Sequence, residues 1–173
     1  PRTRDGAIRL QRALFDAVDE IARVCAREAI DCHYAKGGTV TVATVAAHRA
    51  RLMEELSHWR ALGFGEEDVR WLDASECRRR VGCAQNLGGL FLAQCAALHP
   101  LRLARGLADA VERLGVSIYE RSPVRRLEPG AVRTQAGSMR AARIVRATEG
   151  YTPRLRGLAR ELLPMHSNVV ATE

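Results

Sequence analysis

Apolar residues at Leu14, Val18, Ile21, Ala22, Cys25 and Ala29 recur at three-and-four spacing, which sets them on one face of a helix. The opposite face carries Arg12, Asp16, Asp19, Glu20, Arg23 and Arg27 and is expected to be wet. Gly37-Gly38 breaks the helical pattern, and Thr39-Val40-Thr41-Val42-Ala43 then alternates polar with apolar, as a half-buried strand does. A second helix is expected from about Ala46 to Leu62, with Leu52, Leu56 and Trp59 on its buried side and Gly63 as its stop. Val69-Arg70-Trp71-Leu72 reads as a short strand. Asp73 and Glu76 follow as N-cap and third helical residue of a short helix that Val81-Gly82 ends. Gly88 to Leu92 is another brief strand, and the stretch from there to Pro100 is irregular.

Beyond His99-Pro100 the pattern sharpens. Proline suits a first helical turn, Leu103, Leu107, Val111 and Leu114 form one stripe, and Gly115 stands where a left-handed C-cap belongs. Val116 to Glu120 is the next strand, so this block is a helix–glycine–strand unit of the α/β type. Three further strands are expected at Pro123–Leu127, Ala131–Thr134 and Ala142–Arg146. The turn signals Glu128-Pro129-Gly130 and Gln135-Ala136-Gly137 separate them and make a meander. The meander closes on Ala147-Thr148-Glu149-Gly150, and after the segment Pro153 to Pro164 a last strand-like run covers Asn168 to Ala171. There is no internal repeat, low-complexity tract or linker.

A chain of 173 residues suffices for one domain with a real core. Its 47% hydrophobic and 27% charged residues include no long apolar run, so a cytoplasmic protein with no membrane partner is expected. Five cysteines without a C-x-x-C pair fit neither a disulfide framework nor common zinc spacings, and read as reduced thiols serving as small fillers. Cys32-His33 beside Cys25, and His99 near Cys95, lack a third ligand at useful spacing, so no metal is expected. The net charge of +7 raises the question of nucleic acid. Yet only Lys36 among the 27 basic residues is a lysine, and the arginines are spread over nearly every segment. With so few aromatic residues and no recognisable nucleic-acid module, no nucleic-acid partner is expected. Arg78-Arg79-Arg80 reads as a solvated helix end, and no nucleophile motif is present.

The order "HPLRLARGLADAVERLGVSIYERSPVRRLEPGAVRTQAGSMRAARIVRATEGYTPRL" resembles the central part of the FAD-dependent oxidoreductases of the D-amino-acid oxidase (DAO) family, the group holding glycine, sarcosine and glutamylputrescine oxidases. "GGTVTVAT", "VRWLDASE" and "GGLFLAQCAALHP" are similar to its substrate-domain pieces, and "LLPMHSNVVATE" to its return strand, so the resemblance covers nearly the whole chain. It implies an α/β fold: the middle portion of a Rossmann-like FAD-binding domain with a three-strand meander, plus part of a mixed-sheet substrate domain. On that reading residues 1–98 are a helical segment and partial substrate domain, 99–163 a partial FAD-binding domain, and 164–173 the return strand.

The resemblance implies FAD as cofactor. It gives the main chain of Val124 the adenine, and brings the backbone at Thr148 and Gly150 close to the flavin nucleotide, where small side chains are favoured. Many relatives read Ala-Thr-Asn-Gly-Tyr-Thr where this chain has Glu149. A carboxylate is unfavourable beside a pyrophosphate, so either Glu149 faces water or an arginine, or the cofactor site is altered. The family's G-x-G-x-x-G loop is absent, and that loop presents backbone N–H groups and a helix N-terminus to the pyrophosphate. These 173 residues are therefore expected to be the middle of a longer enzyme, with FAD held by the parent and the isolated chain inactive.

The implied reaction is hydride transfer from a small-molecule amine or amino acid to FAD, giving an imine. No catalytic residue carries over. His33, Tyr34 and His48 are candidates to face substrate, with structural or exposed roles as the alternative. The rival function is a non-catalytic basic α/β module that binds nucleic acid or a protein partner. An unpaired edge at Val116–Tyr119 would invite self-association of the chain.

Overall fold

The computed structural model describes residues 3–165 together with Val169. The strand-like run expected at Asn168–Ala171, Val169 aside, and with it the return strand, lie outside the described residues. The chain forms two compact units, Pro1–Val116 and Ser117–Glu173. The first is mixed α/β with small antiparallel sheets, and the described residues of the second hold one three-stranded antiparallel sheet and a 3₁₀ turn.

In the first unit helix α1 (Arg4–Arg27) starts on Thr3, whose hydroxyl accepts the Gly6 N–H at 3.1 Å. Its inward ridge passes through Phe15, Val18, Ala22 and Cys25, whereas Leu14, expected on the buried face, is 53% exposed. Phe15 decides the phase. Its ring stacks on Trp59 at 6.0 Å and meets Phe64 edge-on at 5.5 Å, and one residue back along the helix is about 100° away from that direction.

After the short strand β1 (Ala35–Lys36) come β2 (Thr39–Val42), helix α2 (Ala46–Ala61) and β3 (Val69–Leu72). Helix α3 (Ala74–Val81), β4 (Gly89–Leu92), β5 (Ala96–Ala97) and helix α4 (Pro100–Arg113) complete the unit. Strand β4 lies between β2 and β3, antiparallel to both, with Leu90 opposite Thr41 on one side and Trp71 on the other. Phe15, Ala43, Leu52, Phe64, Val69 and Leu90 form the core, with Leu56 and Trp59 of α2 packed against it as expected.

The expected capping box is formed: Asp73 accepts the Glu76 N–H at 2.7 Å, Glu76 accepts the Asp73 N–H at 3.2 Å, and Gly82 ends α3 in the left-handed region. The arginine run there is not merely solvated, because the Arg80 guanidinium lies 4.5 Å from the centre of the Phe91 ring. The β1–β5 pair, Ala35 opposite Ala97, was hidden in a stretch with no alternation; tertiary closure rather than local pattern makes it.

Helix α4 begins at Pro100 as expected, with His99 Nδ1 accepting the Arg102 N–H. Its apolar stripe is covered only in part: Leu103 and Val111 are half-buried, Leu107 is 38% and Leu114 81% exposed, and Ala110 is buried. The helix turns its small residues inward: a methyl group on Gly106 would stand 2.5 Å from Ile30 Cγ2, so only glycine admits this approach. Because α4 packs in this way on the loop before β1, it belongs to the first unit, and the expected boundary after residue 98 remains a proposal about a longer enzyme.

The second unit holds the meander β6 (Arg126–Glu128), β7 (Ala131–Arg133) and β8 (Ser138–Arg140), with Leu127 opposite Val132 and Val132 opposite Met139. The third strand therefore lies directly after the Gln135–Gly137 turn, not at Ala142–Arg146. Neither Ala142–Arg146 nor Val116–Glu120 forms a strand, since a strand needs a neighbouring backbone and no described segment supplies one to either.

Gly88 has φ +105°, and a methyl group there would stand 2.5 Å from the Leu72 carbonyl oxygen; Gly63 has φ +89° but open space around it. We expect Gly88→Ala to cost more than about 2 kcal/mol in urea unfolding, and Gly63→Ala about 1 kcal/mol. Equal losses would show that the close approach to Leu72 is unimportant.

Candidate functional site

The second unit carries the residues expected to meet a nucleotide. Arg125 donates its N–H to the Arg133 carbonyl at 2.8 Å and so extends the β6–β7 ladder by one residue. Val124 stands just before it, half-buried, and its N–H and C=O take no part in hydrogen bonds among the described residues. A free main-chain donor and acceptor on an apolar residue at a strand entrance fit the contact expected of Val124.

Farther on, a 3₁₀ turn covers Glu149–Arg154, entered from Thr148. Two contacts fix this turn. Tyr151 donates its N–H to the Thr148 carbonyl at 2.8 Å, and the hydroxyls of Thr148 and Thr152 meet at 2.8 Å, with Thr152 buried. Gly150 has no atom within 4 Å of where a side chain would begin, so its backbone is open to a ligand's approach.

Glu149 occupies the left-handed region at φ +39°, a conformation that asparagine tolerates better than glutamate. Its carboxylate accepts the N–H of Gly150. It pairs with no arginine among the described residues, and lies exposed over the amide that follows it. The residue that looked wrong for the neighbourhood of a phosphate therefore occupies one of the donors a nucleotide oxygen could use.

Two cavities flank this turn. One, about 540 Å³, is lined by Glu149, Gly150, Tyr151, Arg154, Leu162 and Met165 among others. The other, about 640 Å³, lies between Arg126 and Leu127 of β6, Arg146, and Leu155 to Leu158. Neither is lined by Val124, Thr148 and Gly150 together, so the structure gathers these three in one unit without placing them in one cavity.

The arginines of the larger cavity escaped the sequence reading because arginine is scattered through the whole chain. Arg146 pairs with Glu161 at 2.5 Å and Arg126 with Glu128 at 3.1 Å, while Arg156 makes no ion pair among the described residues. The wall thus carries three arginines, two of them paired with carboxylates that do not line the cavity.

The substrate-facing candidates lie in the first unit. Tyr34 donates its hydroxyl to the Val18 carbonyl at 2.9 Å and so ties α1 to the following loop. His33 is exposed at φ +54°, edge-on to His99 with ring centres 6.2 Å apart, and His48 Nδ1 lies 3.2 Å from the Thr44 hydroxyl. No cluster of three or more metal-ligating side chains occurs among the described residues, and no described helix is long and apolar enough to cross a membrane.

With this geometry in view, comparison with known proteins identifies the class. The FAD dependent oxidoreductase family, DAO, matches residues 2–173. The chain belongs to that family of FAD-dependent oxidoreductases.

Among curated proteins it is 32% identical to gamma-glutamylputrescine oxidoreductase of Escherichia coli, covering 98% of this chain and 40% of that protein. It is 31% identical to the probable oxidoreductase OrdL of Haemophilus influenzae, covering 98% of this chain and 41% of that one. The chain thus spans about two fifths of the length of the curated relatives it matches.

Among solved structures, glycine oxidase from Geobacillus kaustophilus superposes with a TM-score of 0.70 at 24% identity, over 88% of this chain and 42% of that one. L-amino acid deaminase from Proteus myxofaciens gives 0.69 at 19% identity, over 83% and 34%. These likenesses carry the fold, which is that of FAD-binding enzymes of the DAO family.

The hydroxyl pair that fixes the turn should be measurable locally. Thr152→Val is expected to leave the Thr148 hydroxyl without its partner and to lower hydrogen-exchange protection of the Tyr151 amide about tenfold, the equivalent of about 1.4 kcal/mol. Unchanged protection would mean that the backbone bonds hold the turn alone.

Proposed function

We propose that this chain is the middle of a longer cytoplasmic flavoenzyme that oxidises a small-molecule amine or amino acid by hydride transfer to FAD, giving an imine. The observation that carries the reading is the family match over 2–173, joined to an open space beside Gly150 in the turn after Thr148. The substrate class is taken from the relatives: one is named for gamma-glutamylputrescine and a structural neighbour for glycine.

In the whole protein residues 1–98 would contribute part of the substrate domain, 99–163 part of the FAD-binding domain, and 164–173 the return to the substrate domain. Val124 would offer its free N–H and C=O to the adenine, whose edge carries both an acceptor and a donor. Thr148 and Gly150 would hold the backbone of the turn against the nucleotide, the threonine by its contact with Thr152 and the glycine by having no side chain. When bound, the flavin would supply the hydride acceptor, and Val124, Thr148 and Gly150 would help to position it. The chain by itself would be inactive, because it contributes one wall of a site whose glycine-rich phosphate loop it does not contain.

The whole protein should purify yellow, and its flavin absorbance should bleach without oxygen on adding an amine or amino acid from a mixed panel. A colourless whole protein that gains no flavin on incubation with FAD would sink the reading.

Glu149→Asn should release the Gly150 N–H and relieve the left-handed glutamate. Its expected effect on the whole protein is an FAD dissociation constant lowered by about tenfold, read by flavin fluorescence during titration of the apoprotein. An unchanged constant would show that the carboxylate does not compete with the cofactor.

A further inference from the structure

Three of the five thiols are buried, and two of these touch. The Sγ atoms of Cys25, in the last turn of α1, and Cys32, in the loop before β1, lie 3.5 Å apart, with the residues only 6% and 1% exposed. Between them the chain reverses at Ala29, φ +56°, and the Ile30 N–H bonds back to the Cys25 carbonyl at 2.8 Å, which sets the two side chains face to face. No other pair of cysteine sulfurs is in contact among the described residues.

We propose that Cys25 and Cys32 are an oxidisable dithiol, closed by hydrogen peroxide to an internal disulfide that locks the loop on which α4 is seated. A disulfide needs its sulfurs about 2.05 Å apart, so closure requires an approach of about 1.5 Å. One peroxide molecule takes the two electrons. Both S–H bonds and the O–O bond break, one S–S bond forms, and the two thiol protons leave with the oxygens as two molecules of water.

Burial, with the Cys32 sulfur adding to it, raises the Cys25 thiol above its ordinary range. Cys25 is therefore a thiol at neutral pH, and closure is slow compared with oxidation of an exposed thiolate.

The same loop carries the contacts of α4. The Cys32 carbonyl accepts the His99 N–H at 2.7 Å, Asp31 pairs with Arg102 at 3.1 Å, and Ile30 fills the notch at Gly106. A cross-link at Cys32 thus restrains the N-terminus of α4 as well as the end of α1.

Trypsin separates the two residues, leaving Cys25 in Val24–Arg27 and Cys32 in Glu28–Lys36. After peroxide treatment of the folded chain and blocking of remaining thiols, a non-reducing peptide map should show these two peptides joined as the dominant product, separated again by a phosphine reductant. The oxidised chain should melt several degrees higher than the reduced one. Cys32→Ser should abolish that rise, whereas Cys83→Ser, changing a cysteine outside the core, should keep it. The proposal is overturned if Cys25 and Cys32 stay free under peroxide. It is equally overturned if cross-links to Cys77, Cys83 and Cys95 appear as often as the expected one, because the mapped product then owes nothing to the folded contact. The peptide map of the unmutated chain decides the matter even where a variant fails to fold, and it does not depend on flavin binding.

Discussion

The first unit depends on one strand being shared. Gly89–Leu92 pairs on both sides, and its single run of backbone groups holds Thr39–Val42 and Val69–Leu72 in register at once. The core gathers on that arrangement: Leu90 shares one cluster with Phe15 and Phe64, Trp59 packs against it, and Val69 and Leu72 are fully enclosed. A two-stranded hairpin could not bury such a face, whereas three strands covered by helices can.

The second unit is held differently. Its meander has strands of three residues, and the turn that follows is fixed by hydroxyl and main-chain contacts more than by packing. Leu163, Val145 and Met165 are largely exposed there, and the helix before it leaves Leu107 and Leu114 uncovered. Apolar positions in this part of the sequence thus stay exposed among the described residues. Such a pattern accords with a chain spanning about two fifths of the length of its curated relatives.

Much of this was legible in the residues. The capping box of Asp73 and Glu76, Pro100 at a helix start and the Val69–Leu72 strand are local signals, decided within a few residues, and they stand where the sequence puts them. What misled was phase and partnership. Leu14 and Leu107 have the right spacing for a buried stripe, but Phe15 and Gly106 set which way their helices turn, and that choice is made by residues far along the chain. Val116–Glu120 has strand character without a strand, because pairing is not a local property. In the candidate site the family pattern singled out Val124, Thr148 and Gly150, yet not the basic cavity wall, since one arginine among so many carries no signal. The charge of Glu149 stands out in the sequence, but its bond to the next amide depends on a left-handed backbone that no local sequence pattern announces.

The notch between Gly106 and Ile30 has a consequence for how this protein can drift. Two positions on separate elements share one small volume, so neither is free to vary by itself: a larger residue in the helix is admissible only beside a smaller one in the loop. Among descendants of this sequence, substitutions at 30 and 106 should appear as a linked pair, and a change at one should be a poor guide to tolerance unless the other is known.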